Sequence, residues 1–137
     1  MSIKIKRIII DTNLWISFLI TNDFKKLDQF LDSDKYQIVF SEELFNEFLE
    51  VVHREKFNRY FNDLNIKILI EIINDKALFV KVISIVNECR DLKDNFLLSL
   101  AIDGDVDYLI TGDNDLLSLK HFEKTSILTI NDFISTF

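Results

Sequence analysis

The chain has no proline, two glycines and one cysteine. With Cys89 alone, no internal disulfide can form and no cysteine-rich zinc site can be built. With two glycines, few backbone positions can require a positive φ, and Gly104 and Gly112 are expected to mark tight spots. There is no Gly-rich phosphate loop, which disfavours nucleotide binding of the Rossmann or P-loop type. The longest apolar stretches fall far short of the roughly 20 residues of a membrane span. The opening "MSIKIKRIII" carries no signal-peptide cleavage pattern. A cytoplasmic protein without membrane contact is the expectation. Basic charge is also short. Lys and Arg number 16 against 23 Asp and Glu, for a formal net charge of −7. That argues against generic, field-driven binding to nucleic acid. It leaves room for a nucleic-acid enzyme, because clustered metal-binding carboxylates themselves add negative charge.

What is present is enough for a core. The chain is 48% hydrophobic and holds 13 Phe that need dry surroundings. Its 137 residues fit one domain, 1–137. "IKIKRIII" (Ile3–Ile10) reads as a strand by its β-branched content. Helical spacing follows from Asn13 to about Leu31 through Leu14, Phe18, Leu27, Phe30 and Leu31. Tyr36–Phe40 is a second strand, and Ser41 is a good N-cap for a helix with Glu42 and Glu43 in its first turn. Residues 55–76 read as helix broken near Asn62–Asn65, and Ala77–Ser84 as a strand. Asp94–Asp103 is helical and apolar nearly all round, hence buried, with Gly104 expected as an αL cap. Asp107–Thr111 and Ser126–Ile130 read as strands, and a short helix closes the chain. Apolar strands alternating with helices imply an α/β fold. The expectation is a three-layer α/β/α sandwich around a mostly parallel sheet.

In such sheets, sites form beyond the carboxyl ends of the strands. Asp11 is the first residue past strand one, and Asn13 follows it. Asp113 and Asp115 lie just past Asp107–Thr111, with Gly112 at the turn. Asp94 opens the buried helix at the same end, and Asp91 precedes it by three residues. At about 100° per residue, Glu43 and Glu50 point away from the apolar face of the helix after Ser41. Glu47 falls on its boundary and is the glutamate expected to join the aspartates. Each piece also has an ordinary reading. Asp11 is a good helix cap, "TGDND" suits an Asx turn, and Asp94 complements a helix dipole. Convergence at one sheet edge favours a site. Asp11, Glu47, Asp94 and Asp113 would repel one another unless a hard cation sits among them. Oxygen-only ligands favour Mg²⁺ or Mn²⁺ over zinc, and the usual chemistry of such a site is phosphodiester hydrolysis. His53 and His121 have no partner at metal-ligand spacing, and Cys89 has no nearby His. Trp15 is expected in the core or packed near the site. "HREKFNRY" (His53–Tyr60) mixes basic and aromatic residues and is read chiefly as a solvated helix face.

These residues resemble the PIN domain family across essentially the whole chain. "IIIDTNLWISFL" resembles its opening strand, with Asp11 as the first acid and Asn13 after it. "SEELFNEFLEVV" is similar to the family's "ELxxEL" helix, in which Glu47 is the second acid. "CRDLKDNFLLSLAIDGDVDYLITGDNDLL" is the most specific stretch. It is similar to "RDxKDxFLLxLA…ADYxxTGDxDLL" of a VapC-like subfamily of toxins from toxin–antitoxin pairs. Asp94 matches the third acid, and either Asp113 or Asp115 matches the acid that completes the metal site. Leu92 departs from the pattern where proline is common, which alters a turn and no ligand. The resemblance implies a metal-dependent endoribonuclease acting on RNA, often a homodimer, silenced by a small antitoxin that buries the acidic groove. In that reading Asp11, Glu47, Asp94 and Asp113 hold Mg²⁺ or Mn²⁺. Asp115 and Asn13 assist, and Thr111 orients an acid or a phosphate. Two other readings stand beside it. A receiver-like phosphoacceptor module would want an acid pair after strand one and a Lys after the last strand. This chain has Asp11 alone and Asn131 there. A catalytically silent PIN-like scaffold would bind RNA or a partner without turnover.

Overall fold

Three consecutive isoleucines set the centre of the sheet. In the computed structural model, which describes residues 5–21, 34–54 and 63–136, strand β1 spans Lys6–Ile10. Ile8, Ile9 and Ile10 are at most 1% exposed. Successive strand residues face opposite ways, so a fully buried run means that both faces of the sheet are covered. Helix α1 follows (Thr12–Thr21), then β2 (Tyr36–Phe40), α2 (Glu42–Val52), α3 (Asp63–Lys76) and β3 (Leu78–Phe79). Next come α4 (Leu92–Asp103), β4 (Tyr108–Ile110), α5 (Asn114–Leu117), β5 (His121–Phe122), β6 (Thr125–Leu128) and α6 (Ile130–Thr136). The strand order is β3-β2-β1-β4-β6-β5. Every neighbouring pair is parallel except β5 with β6. This is the expected α/β architecture with a mostly parallel sheet. Ile8 sits opposite Ile38 on one side and Tyr108 on the other, which fixes β1 at the middle.

The core ties helices to sheet through aromatic rings. Trp15 of α1 is fully buried, with its ring 5.8 Å from Phe40 of β2 and 6.4 Å from Phe48 of α2. Tyr36 and Tyr108 both pack on Phe133 of α6, with centroids 5.4 Å apart in each pair. Ser41 caps α2 as expected, its Oγ accepting the Leu44 amide at 3.0 Å.

Several local expectations are corrected. The strand expected over Ala77–Ser84 shrinks to Leu78–Phe79, because the backbone beyond finds other partners. Val80 makes the last bond to β2, donating to the Phe40 carbonyl, and beyond it the Ile83 and Ser84 amides donate to the carboxylate of Asp103. Gly104 is not an αL cap: its φ is −87°, and the positive φ belongs to Asp105 at 52°. What Gly104 supplies is clearance. A Cβ there would stand 3.0 Å from the Leu100 carbonyl and 3.0 Å from Val39 Cγ1. Gly112 does not have a positive φ, and a Cβ added to it would meet nothing within 4 Å, so the turn does not require glycine. Strand β5 is too short to carry a periodic signal; it pairs back on β6 through a turn with Glu123 at φ 52°. Helix α3 starts at Asp63, inside the expected break. The helical readings over 22–31 and 55–62 lie outside the described residues.

Candidate metal centre

The chain leaves β1 for β2 on one side and later comes back to β4 on the other. Such a reversal opens a crevice beyond the carboxyl ends of the two central strands. Asp11 stands at its floor. Its amide donates to the Ile110 carbonyl at 2.9 Å, stitching the end of β1 to the end of β4. Its carbonyl accepts the Leu14 amide at 2.9 Å in the first turn of α1. Its carboxylate is held at both oxygens. Oδ1 accepts the Asn13 amide at 3.2 Å, and Oδ2 accepts the Thr111 hydroxyl at 2.8 Å. Thr111, fully buried, also accepts the Asp113 amide at 3.1 Å. The capping role of Asp11 and its place in the crevice are therefore compatible: the same turn aims the carboxylate.

Asp94 lies in the first turn of α4 and is 4% exposed. The helix starts two residues earlier than expected, with Asp91 as its N-cap accepting the Lys93 amide at 2.9 Å. Asp113 caps α5 in the same manner, its Oδ1 accepting the Asp115 amide at 2.8 Å. Carboxylate oxygens of Asp94, Asp113 and Asp115 all lie within 4.8 Å of one another. A cavity of about 310 Å³ opens here, lined by Asp11, Asn13, Glu47, Asp91, Asp94 and Asp113 among others. Asp11 and Glu47 line this cavity without belonging to the tight trio. Asp115 belongs to the trio but sits outside the cavity wall, exposed and 3.3 Å from Arg90.

Several residues of the site escape sequence reasoning. Glu43, which the helical angle sends into solvent, is exposed yet lines the cavity from the first turn of α2. Lys93 Nζ stands 3.3 Å from Glu47 Oε1. Asn95, 6% exposed, clasps the loop before α4, accepting the Cys89 amide at 2.7 Å and donating to its carbonyl at 2.9 Å.

The electrostatics are those of crowded acids. Burial pushes the Asp11 carboxyl above its ordinary value; the Thr111 and Asn13 hydrogen bonds oppose this, and the charges of Asp113 and Glu47 add to it. Burial, then the neighbouring Asp113, push Asp94 up to about 7. Asp94 Oδ2 is buried without a hydrogen-bond partner. A buried carboxylate oxygen in that state is costly unless a cation or proton meets it. The donors are oxygens throughout. His53 and His121 are exposed and do not line the cavity, and burial raises the Cys89 thiol. The arrangement fits a hard divalent cation.

A mostly parallel α/β sheet with an oxygen-only acidic crevice at its switch point places the chain among α/β proteins whose strand-end acids suit a hard divalent cation. Residues 7–115 match the family described as PIN domain, and the chain belongs to that family. The family sits within a superfamily of nucleases that use divalent metals and take RNA as substrate. No curated protein sequence matches the chain. Among the described residues, no helix is long and apolar enough to cross a membrane.

Proposed function

We propose that this protein is a Mg²⁺- or Mn²⁺-dependent endoribonuclease, the toxin of a toxin–antitoxin pair. The observation that carries the nuclease reading is the buried Asp94 Oδ2 without a hydrogen-bond partner, on an acid that lines one cavity together with Asp11, Glu47 and Asp113. In this reading Asp11, Glu47, Asp94 and Asp113 hold the cation, directly or through water, and Asp115 supports them. When bound, the cation supplies Lewis-acid stabilisation of phosphoryl charge and a more acidic water. The residues supply order. Thr111 fixes one oxygen of Asp11 and the backbone of Asp113 together, and the Asn13 amide fixes the other oxygen. Asp91 starts α4 so that Asp94 meets the cavity in its first turn. The toxin role, a homodimer and a small antitoxin covering the acidic groove rest on the motif resemblance alone.

The test uses labelled total RNA with wild type and Asp94→Asn, in Mn²⁺ or in EDTA. Cleavage by wild type with metal alone is the expected result. Cleavage that survives EDTA, or equal cleavage by the variant, overturns the assignment. Metal binding without turnover on any RNA would favour a silent scaffold. A small co-purifying protein that suppresses cleavage in the same assay would support the antitoxin.

A further inference from the structure

The acidic cavity has a difficulty if its ligand is RNA. Six of its lining side chains are carboxylates: Asp11, Glu43, Glu47, Asp91, Asp94 and Asp113. Among the described lining residues, the basic one is Lys93. A phosphodiester strand approaching this rim meets six carboxylates against one ammonium, so the acids repel it unless a cation offsets them. The exception is the ridge at the start of α4. Lys93 is 70% exposed and Arg90, just outside the cavity, is 89% exposed. Leu92 between them is 80% exposed, so the side chains of the ridge are open to solvent.

Each cation of the ridge leans on an acid of the site. Lys93 Nζ is 3.3 Å from Glu47 Oε1, and Arg90 is 3.3 Å from both oxygens of Asp115. Exposed pairs at such distances contribute little to stability and exchange readily. A carboxylate that engages a divalent cation holds an ammonium or guanidinium less tightly, because the two compete for the same lone pairs. The ridge itself is fixed. Asn95 clasps the Cys89 backbone in both directions, and Asp91 caps the helix between the two cations.

We propose that Arg90 and Lys93 are the phosphate-contacting residues of this site, held beside the metal-binding acids and passed from Asp115 and Glu47 to the RNA backbone when a divalent cation occupies the acids. The proposal rests on the nuclease reading. It makes two opposite demands on the same side chains. Each is a competitor of the cation and a partner of the RNA.

The experiment compares wild type with Lys93→Met, Arg90→Ala, the double variant and Lys93→Arg. Divalent-ion affinity is read by calorimetry with Mn²⁺ and no RNA. Binding of a single-stranded RNA oligonucleotide is read by fluorescence anisotropy across a salt series in EDTA and in Mn²⁺, at times before cleavage. The double variant is expected to bind Mn²⁺ more tightly than wild type. It is expected to bind RNA roughly 10-fold more weakly in Mn²⁺, with a salt slope smaller by about 0.7 for each phosphate that is no longer neutralised. Lys93→Arg is expected to keep RNA binding. Unchanged RNA affinity in the double variant overturns the proposal while leaving the nuclease reading intact. Weaker Mn²⁺ binding in that variant also overturns it, because the cations would then be buttressing the acids. No RNA binding by wild type, even with Mn²⁺ bound, removes both.

Discussion

In the proposed site, Asp94 concentrates the conflict between stability and function in one side chain. It is buried, it faces Asp113, and one of its oxygens has no partner. Its folded-state value of about 7 lies above the 3.8 of a free aspartate. Between those values the folded chain holds a proton that the unfolded chain has released, so raising the pH through that window destabilises the fold. Asparagine keeps the shape and removes the charge. Without divalent cation, Asp94→Asn is therefore expected to be the more stable protein at pH 8, by roughly 1–3 kcal/mol. The advantage should shrink towards zero as pH falls to about 4. Thermal melts in EDTA at a series of pH values read this. A variant less stable than wild type at pH 8 would mean that the Asp94 carboxylate is satisfied in a way the geometry does not show.

At the scale of elements, the two glycines separate local rule from tertiary demand. Both read alike in the sequence, as tight spots near the ends of buried elements. Gly104 ends α4 with an ordinary right-handed φ and matters because Val39, Val106 and the Leu100 carbonyl crowd it. Gly112 borders the acids and has open space around it. Gly104→Ala is expected to destabilise by about 1–3 kcal/mol through overpacking. Gly112→Ala is expected to be neutral or stabilising by up to about 1 kcal/mol, through the entropy of the unfolded chain. Urea denaturation of the two variants reads the contrast, and equal losses would reject it. The same distinction explains what was legible. Ile8–Ile10, Tyr36–Phe40 and the Ser41 cap announce themselves, because burial on both faces and capping leave marks in adjacent residues. The end of β3 and the clasp of Asn95 on Cys89 do not. Each depends on a partner chosen by tertiary contact, Asp103 for the first and the loop before α4 for the second. Aspartates at strand ends were readable as neighbours, because strand ends gather at one edge of a parallel sheet, and Asp11 and Asp113 do line one cavity. Arg90 and Lys93 fall inside the "RDxKD" stretch of the resemblance, but spacing and composition assign an exposed cation at a helix start no role, and their ion pairs with Asp115 and Glu47 emerge only in the fold.

Over the whole molecule, the charge of −7 and the crowded crevice make one coupled system. The surface part of that repulsion is screened by any salt, since the Debye length is about 10 Å at 0.1 M. The buried part at Asp94 is screened much less, and a cation bound to the cavity relieves it directly. The two parts are separable in a melt. Mn²⁺ or Mg²⁺ at about 100 times its Kd should stabilise the wild type by about 2.7 kcal/mol, a rise in Tm of roughly 5–10 °C. Sodium chloride at matched ionic strength should give a smaller rise, shared by every variant. Asp94→Asn, the more stable protein in EDTA, should lose most of the divalent-specific part, so that the gap between the two proteins narrows or inverts once metal is added. That change in order is the sensitive reading, because neither screening nor a general effect of charge on folding produces it. If both proteins rise equally with Mn²⁺, the cation is acting on the acidic surface at large, and the cavity lined by Asp11, Glu47, Asp94 and Asp113 is not where it binds.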